Sequence, residues 1–240
     1  MPLSHDRPSL ERSPDQHDAE AIPAGSTEAD RSALEPWLRR APEGPVLDLA
    51  CGSGRHVRAL GRTGRAVYGL DLDPRMIAAC RQADPDAPAD RYRVGDASMW
   101  LEPRCYAALC LLNSSLVCFH SHRLAAGLFH SAAHLLLPGG LFLIDNCCVR
   151  LWDEIRSGNF ADGISEDGTE QLFFLAGENR FVWRRGAEVD AGSWEPGPGD
   201  RLYRLWSLNE VALAAEGAGL TLTCLDPAES LIVVERPVDA

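Results

Sequence analysis

The stretch that most constrains this chain is Pro45-Val-Leu-Asp-Leu-Ala-Cys-Gly-Ser-Gly-Arg-His56. Val46, Leu47 and Leu49 make an apolar run dense enough for a strand buried on both faces, as in a parallel sheet. The run ends in Gly52-Ser-Gly54, and from Arg55 the residues Val57, Leu60 and Gly61 read as the start of a helix. A strand, a glycine turn and a helix N-terminus together make a place where backbone closely approaches a ligand. Glycine is needed there because a Cβ would meet the ligand or forbid a positive φ. The dinucleotide fingerprint wants a third glycine where this chain has Val57, which disfavours a nicotinamide or flavin cofactor. On spacing alone, the plainer reading is an ordinary strand–turn–helix of an α/β domain.

The whole string Val-Leu-Asp-Leu-Ala-Cys-Gly-Ser-Gly is more specific. It resembles motif I of the class I S-adenosylmethionine-dependent methyltransferases. The resemblance implies an α/β fold, a doubly wound, seven-stranded, mostly parallel sheet. It also implies S-adenosyl-L-methionine as cofactor and S-adenosyl-L-homocysteine as product. In that family an acidic residue sits inside the strand, here Asp48, and the loop carrying Ala50, Cys51, Gly52 and Gly54 wraps a zwitterionic amino acid.

The motifs that follow keep the family's order. Ala66-Val-Tyr-Gly-Leu-Asp71 is a second buried strand, and Asp71 at its end lies 17 residues beyond Gly54. A carboxylate there can accept from both hydroxyls of a ribose, since two oxygens match a vicinal diol. Asp73 then reads as a helix N-cap with Pro74 at the first helical position. The resemblance places Leu72 and Met76 beside adenine and ribose. After a loop over 84–90, Tyr92-Arg-Val-Gly-Asp-Ala-Ser98 is similar to the third motif, with Asp96 and the Ala97 amide at the adenine. Tyr106-Ala-Ala-Leu-Cys-Leu-Leu112 is a fourth strand, and the resemblance puts Asn113 beyond it against the cofactor's amino group. There is no Asn/Asp-Pro-Pro-Tyr motif and no Pro-Cys pair, so Cys118 reads as a core thiol.

Residues 124–137 carry apolar side chains at helical spacing. A turn at Pro138-Gly-Gly140 and a strand over 141–145 follow, as in the family's post-motif turn. Ahead of the first strand, Leu34, Trp37 and Leu38 predict a helix over 29–40. Residues 1–27 read as a flexible leader, or as a segment folding over the ligand. The cofactor-binding half then spans 28–149. An insertion follows over 150–206, and 207–240 complete the sheet, opening with the capping box Ser207-Leu-Asn-Glu210.

Nine of the chain's aromatics lie in 150–206, including Trp152, Phe160, Trp183, Trp194, Tyr203 and Trp206. The stretches 171–176 and 180–185 flank Gly177-Glu-Asn179 as a hairpin, and another turn at 196–199 precedes a strand over 201–206. The insertion resembles in position and size the antiparallel lid of glycine- and amino-sugar-type N-methyltransferases. Two uses of the rings stay open: lining a site for an apolar or ring-containing acceptor, or forming the insertion's own core or a homodimer interface.

Composition narrows the partners. Net charge is −12 with every basic residue an arginine, a poor match for a phosphate backbone. The eight cysteines show no zinc spacing and lie mostly in apolar runs, which predicts reduced thiols and no metal site. No signal-peptide pattern or membrane-length apolar stretch is visible, so a cytoplasmic protein is expected.

The reaction implied is methyl transfer to an N or O atom of a small molecule, with a role in bacterial secondary metabolism. His120 and His122 just past the fourth strand are the candidate general bases. Asp145, Asn146 and Tyr203 are further candidates. RNA or protein methylation, aminopropyl transfer and cofactor binding without catalysis are the rival readings.

Overall fold

Val46–Leu49 is buried at every position, as a strand with neighbours on both sides and helices over both faces must be. The computed structural model of the chain describes residues 26–102, 105–145, 162–224 and 231–238. The elements run α1 (Ser26–Arg40), β1 (Val46–Leu49), α2 (Arg55–Gly61), β2 (Val67–Asp71), α3 (Pro74–Ala83), β3 (Tyr92–Val94) and β4 (Tyr106–Leu111). A 3-10 turn (Ser115–Cys118), α4 (His122–Leu135) and β5 (Leu136–Asp145) follow. Then come β6 (Glu170–Phe174), β7 (Arg180–Arg185), β8 (Leu202–Arg204), α5 (Leu208–Gly217), β9 (Thr221–Cys224) and β10 (Leu231–Glu235).

Seven strands form one sheet in the order β3-β2-β1-β4-β5-β10-β9. β1 pairs in parallel with β2 and β4, and β4 pairs in parallel with β5. β10 runs antiparallel between β5 and β9. The order reverses between β1 and β4, the switch point where open α/β sheets bind ligands beyond the strand C-termini. The expected doubly wound, mostly parallel sheet is therefore present.

Alternate strand residues feed two cores. Leu34 and Leu38 of α1, Val57 and Leu60 of α2 and Ile77 of α3 cover one face over Val46, Ala108, Cys110 and Leu143. Leu128 and Phe129 of α4 and Val211 and Ala215 of α5 cover the other over Leu47, Leu109, Leu111 and Phe142. Helix starts follow from their caps. Asp73 accepts from the Arg75 amide at 2.8 Å with Pro74 at the first position, and Ser121 accepts from the Leu124 amide at 3.3 Å. The Ser207–Glu210 capping box forms as its spacing predicts.

Two boundaries differ from expectation. α1 begins at Ser26, ahead of 29, and carries Pro36 inside it. Pro138-Gly-Gly140 is not a turn between helix and strand: α4 ends at Leu135 and β5 starts at Leu136. The β4–β5 register shifts between Tyr106 and Ala108, so the missing amide of Pro138 costs no ladder bond. Gly139 donates to the Arg236 carbonyl at 2.8 Å, and the Arg236 amide donates back to Gly140 at 2.9 Å.

β6, β7 and β8 form the expected separate antiparallel sheet. Its cross-strand row Phe174, Phe181 and Tyr203 has ring centroids 5.5 Å apart at each step, tilted in the first pair and stacked in the second. Phe181 and Leu172 join the core beneath α4 and α5, with Trp183 and Tyr203 packed beside them. Trp206 is buried and its indole N–H donates to the Leu116 carbonyl at 3.2 Å, tying the chain after β8 to the 3-10 turn after β4. On the sheet's other face, buried Arg184 holds Asp200, Gln171 and the Ser193 and Glu195 carbonyls. Trp152 and Phe160 lie outside the described residues.

Candidate active site

The glycine loop leaves β1 through three left-handed residues, Ala50 (φ 53°), Gly52 (φ 54°) and Gly54 (φ 78°). The two glycines are needed for different reasons. A Cβ on Gly54 would stand 2.9 Å from both Cys80 Sγ and Tyr92 Cε1, so this glycine lets α2 and α3 close on the sheet. A Cβ on Gly52 would meet nothing within 4 Å, so its side faces open space above the loop. Gly54→Ala is therefore expected to destabilise the fold by about 2–4 kcal/mol from overpacking and φ strain. Gly52→Ala should cost only about 1–2 kcal/mol. Urea unfolding of the two variants checks the difference.

The loop is held from β2. Asp71 Oδ2 accepts from the Gly52 amide at 2.8 Å and Oδ1 from the Asp73 amide at 2.9 Å, so one carboxylate fixes both the loop and the start of α3. Beneath the loop, Asp48 is 1% exposed and its Oδ2 has no hydrogen-bond partner among the described residues. Burial pushes its carboxyl up to about 6, with Arg55 and His56 pulling back only part of the shift. The Cys80 thiol donates to the Gly52 carbonyl at 3.1 Å, and Cys51 beside it is likewise buried. Around the rim, Leu72 is exposed while Met76 is buried in the first turn of α3. Asp96 closes a small turn, its Oδ1 accepting from the Ser98 amide and hydroxyl at 3.0 and 2.8 Å, and Ala97 is buried.

Across the switch point, Asn113 and Ser114 are both left-handed, at φ 57° and 60°. Such non-glycine conformations cost on the order of 1–3 kcal/mol each. The Ser114 amide donates to Asp145 Oδ2 at 2.7 Å from the end of β5. Asn113 is exposed. His120 is 2% exposed at the end of this segment. His122 is a surface residue at the start of α4, with 72% of its side chain exposed. Its Nε2 lies 3.1 Å from Arg204 Nη2 and 3.4 Å from Glu210 Oε1, and its ring stands edge-on to Trp206. Cys118, expected as a core thiol, keeps exposed surface on the 3-10 turn that buries Leu116 and Val117, yet burial of its sulfur pushes the thiol up to about 11, so the expectation holds for the thiol and not for the whole residue. Asn146 lies outside the described residues.

Glu210 anchors this corner. Burial alone would raise its pKa, but Arg204 and the Ser207 amide and hydroxyl outweigh that and hold it at about 2. A depressed carboxylate stabilises the fold above the unfolded value and loses that contribution as pH falls from about 4.5 to 2. Glu210→Gln should lower stability at pH 7 by about 1–2 kcal/mol and make little difference near pH 2, as read by melting at the two pH values.

Sequence reasoning missed the left-handed state of Ala50, Asn113 and Ser114, and the Asp145 contact that goes with it. A carboxylate ending the strand next to β4 was the available signal.

The site fits S-adenosylmethionine. A buried carboxylate oxygen without a partner suits a cationic amino group. The open side of Gly52 leaves room for the ligand, and Asp71 and exposed Leu72 stand at the end of the adjacent strand. The chain has the fold of the class I S-adenosylmethionine-dependent methyltransferases, and residues 46–140 match the family described as methyltransferase domain. It is similar to the dTDP-3-amino-3,6-dideoxy-alpha-D-glucopyranose N,N-dimethyltransferase of Streptomyces fradiae, 35% identical over 118 residues, which cover 49% of this chain and 44% of that protein. It is also similar to the demethylmenaquinone methyltransferase of Tropheryma whipplei, 29% identical over 41% of this chain and 40% of that one. The chain thus spans less than half the length of these curated relatives. Among solved structures, the sugar N-methyltransferase KedS8 from Streptoalloteichus has the same fold, with a TM-score of 0.63 at 21% identity over 99% of this chain and 98% of that one. Streptomyces venezuelae DesVI gives 0.60 at 22% identity over 89% and 93%. Among the described residues, no helix is long and apolar enough to cross a membrane.

Proposed function

We propose that this protein transfers the methyl group of S-adenosylmethionine to a nitrogen of a small molecule, an amino group on a sugar ring being the acceptor class best supported. The observation that carries the reading is the pair of left-handed turns at the switch point. One is tied by Asp71 and the other by Asp145, beside an antiparallel sheet with an aromatic face. The likeness to the Streptomyces fradiae N,N-dimethyltransferase supports an amine over a hydroxyl.

In this reading Asp48, Ala50, Cys51, Gly52 and Gly54 hold the amino-acid end of the cofactor. Asp71, Leu72 and Met76 hold the ribose side, Asp96 and Ala97 the adenine, and Asn113 the amino group. Burial of Met76 limits it to backing the pocket wall. When bound, the cofactor supplies a methyl already activated on a sulfonium. The protein's part is to align the acceptor, exclude water and ensure that the attacking amine is neutral. In this reading His120, buried beyond β4, is the residue assigned to take a proton. His122 is engaged with Arg204 and Glu210, which competes with that role. One face of Trp183 is covered by the Arg185 guanidinium and one face of Tyr203 by Phe181, so each partly buried ring has only its other side to turn to a sugar ring.

The test is incubation with S-adenosylmethionine and paired amino and hydroxy sugars, free and nucleotide-linked, read by mass spectrometry. Gain of one or two methyl masses on the amines alone is expected. Methylation of the hydroxy sugars alone, or of RNA or protein but neither sugar set, would overturn the reading.

A further inference from the structure

The turn that follows β4 departs most from ordinary backbone in the described chain, since two adjacent non-glycine residues are left-handed there. Asparagine tolerates that region because its short polar side chain bonds locally, but serine is seldom found in it. The structure places a strut on the residue that needs one. Asp145, 8% exposed at the end of β5, accepts the Ser114 amide at 2.7 Å. The β4–β5 register pairs Leu111 with Ile144, which brings Asp145 level with the start of the turn. The other side of the segment is closed by the Ser115 hydroxyl and the Trp206 indole, which bond the Leu112 and Leu116 carbonyls at 2.6 and 3.2 Å. Asn113 at the crest is left exposed between these fixed points.

We propose that Asp145 is a positioning residue. Its carboxylate, through the Ser114 amide, keeps the Asn113–Ser114 turn left-handed and so presents Asn113 to the ligand before it binds. The ligand's identity rests on the methyltransferase reading above; the strut does not. A charge-assisted bond to a backbone amide is among the stronger hydrogen bonds a fold can make, which suits it to hold a strained pair. The arrangement is preorganisation: the turn is set by β5, not by the ligand.

The experiment measures amide hydrogen exchange at Ser114 in the ligand-free full chain and calorimetric titration with S-adenosylhomocysteine. It compares wild type, Asp145→Ala, Asp145→Asn and the double variant Asp145→Ala/Ser114→Gly. Asp145→Ala should speed Ser114 exchange and weaken S-adenosylhomocysteine binding, each by about tenfold or more. Asp145→Asn keeps an acceptor oxygen and should stay within about threefold of wild type. Ser114→Gly should restore most of the binding lost in Asp145→Ala, because glycine adopts the left-handed state without a strut. Unchanged exchange and affinity in Asp145→Ala would overturn the proposal. So would a binding loss that Ser114→Gly fails to rescue, which would mean that the carboxylate touches the ligand itself. If wild type does not bind S-adenosylhomocysteine, the methyltransferase reading fails, and the exchange comparison alone decides the strut.

Discussion

Asp71→Ala should weaken S-adenosylhomocysteine binding about a hundredfold, the largest single loss expected on the rim of the site. Two effects add. The substitution removes the acceptor of the Gly52 and Asp73 amides, releasing the glycine loop and the first turn of α3 together. It also removes the carboxylate at the end of β2, where a ribose diol would be bound. A hydrogen bond to a charged group contributes about 1.5–3 kcal/mol, so losing two while the loop gains freedom amounts to a factor of about 100. Asp71→Asn should be nearly as damaging, since its amide nitrogen must face one of two backbone donors. Calorimetry with the three proteins checks this. Affinity within threefold of wild type in Asp71→Ala would show that the loop holds its shape without β2.

Asp48→Asn should move stability and binding in opposite directions. The buried carboxyl of Asp48 is pushed up to about 6 from 3.8, so the folded state binds a proton that the unfolded state has already lost between those values. Stability therefore falls as pH rises from about 4 to 6. Above 6 the ionised group costs about 3 kcal/mol. Asparagine removes the charge but brings an amide that needs a partner, so a net gain of about 1–2 kcal/mol is expected in the ligand-free protein at pH 7.5. The variant's melting temperature should also lose the decline between pH 4 and 6. A cationic ligand group beside Asp48 would offset the same cost in the wild type, so the variant should bind S-adenosylhomocysteine tenfold or more weakly. A less stable Asp48→Asn at pH 7.5 with unchanged affinity would remove Asp48 from the site.

Much of this arrangement is legible in the sequence where a local pattern and its tertiary use agree. The apolar runs at 46–49, 67–71 and 106–111 are buried parallel strands, and Asp73, Pro74, Ser207 and Glu210 cap helices as their spacing predicts. Reading fails where a distant partner overrides a local signal. Pro138-Gly-Gly140 has turn chemistry, yet it extends β5 because Arg236 bonds Gly139 and Gly140 from nearly a hundred residues away. The apolar company of Cys118 suggests a core thiol, which holds for its buried sulfur and not for the whole residue, because the 3-10 turn buries Leu116 and Val117. His120 and His122 look alike in sequence and differ in the fold, one buried and the other held at the surface by Arg204 and Glu210. The strained pair at 113–114 leaves no mark on composition, because its cause is a carboxylate on another strand.

The measurement closest to the central claim is calorimetric titration of the wild-type protein with S-adenosylmethionine, alongside a thermal melt with and without the ligand. A saturable, one-to-one isotherm in the micromolar range and a raised melting temperature are expected. A cooperative melt that the ligand does not shift, with no heat of binding, would contradict the assignment of the glycine loop and leave Asp48 buried for another reason.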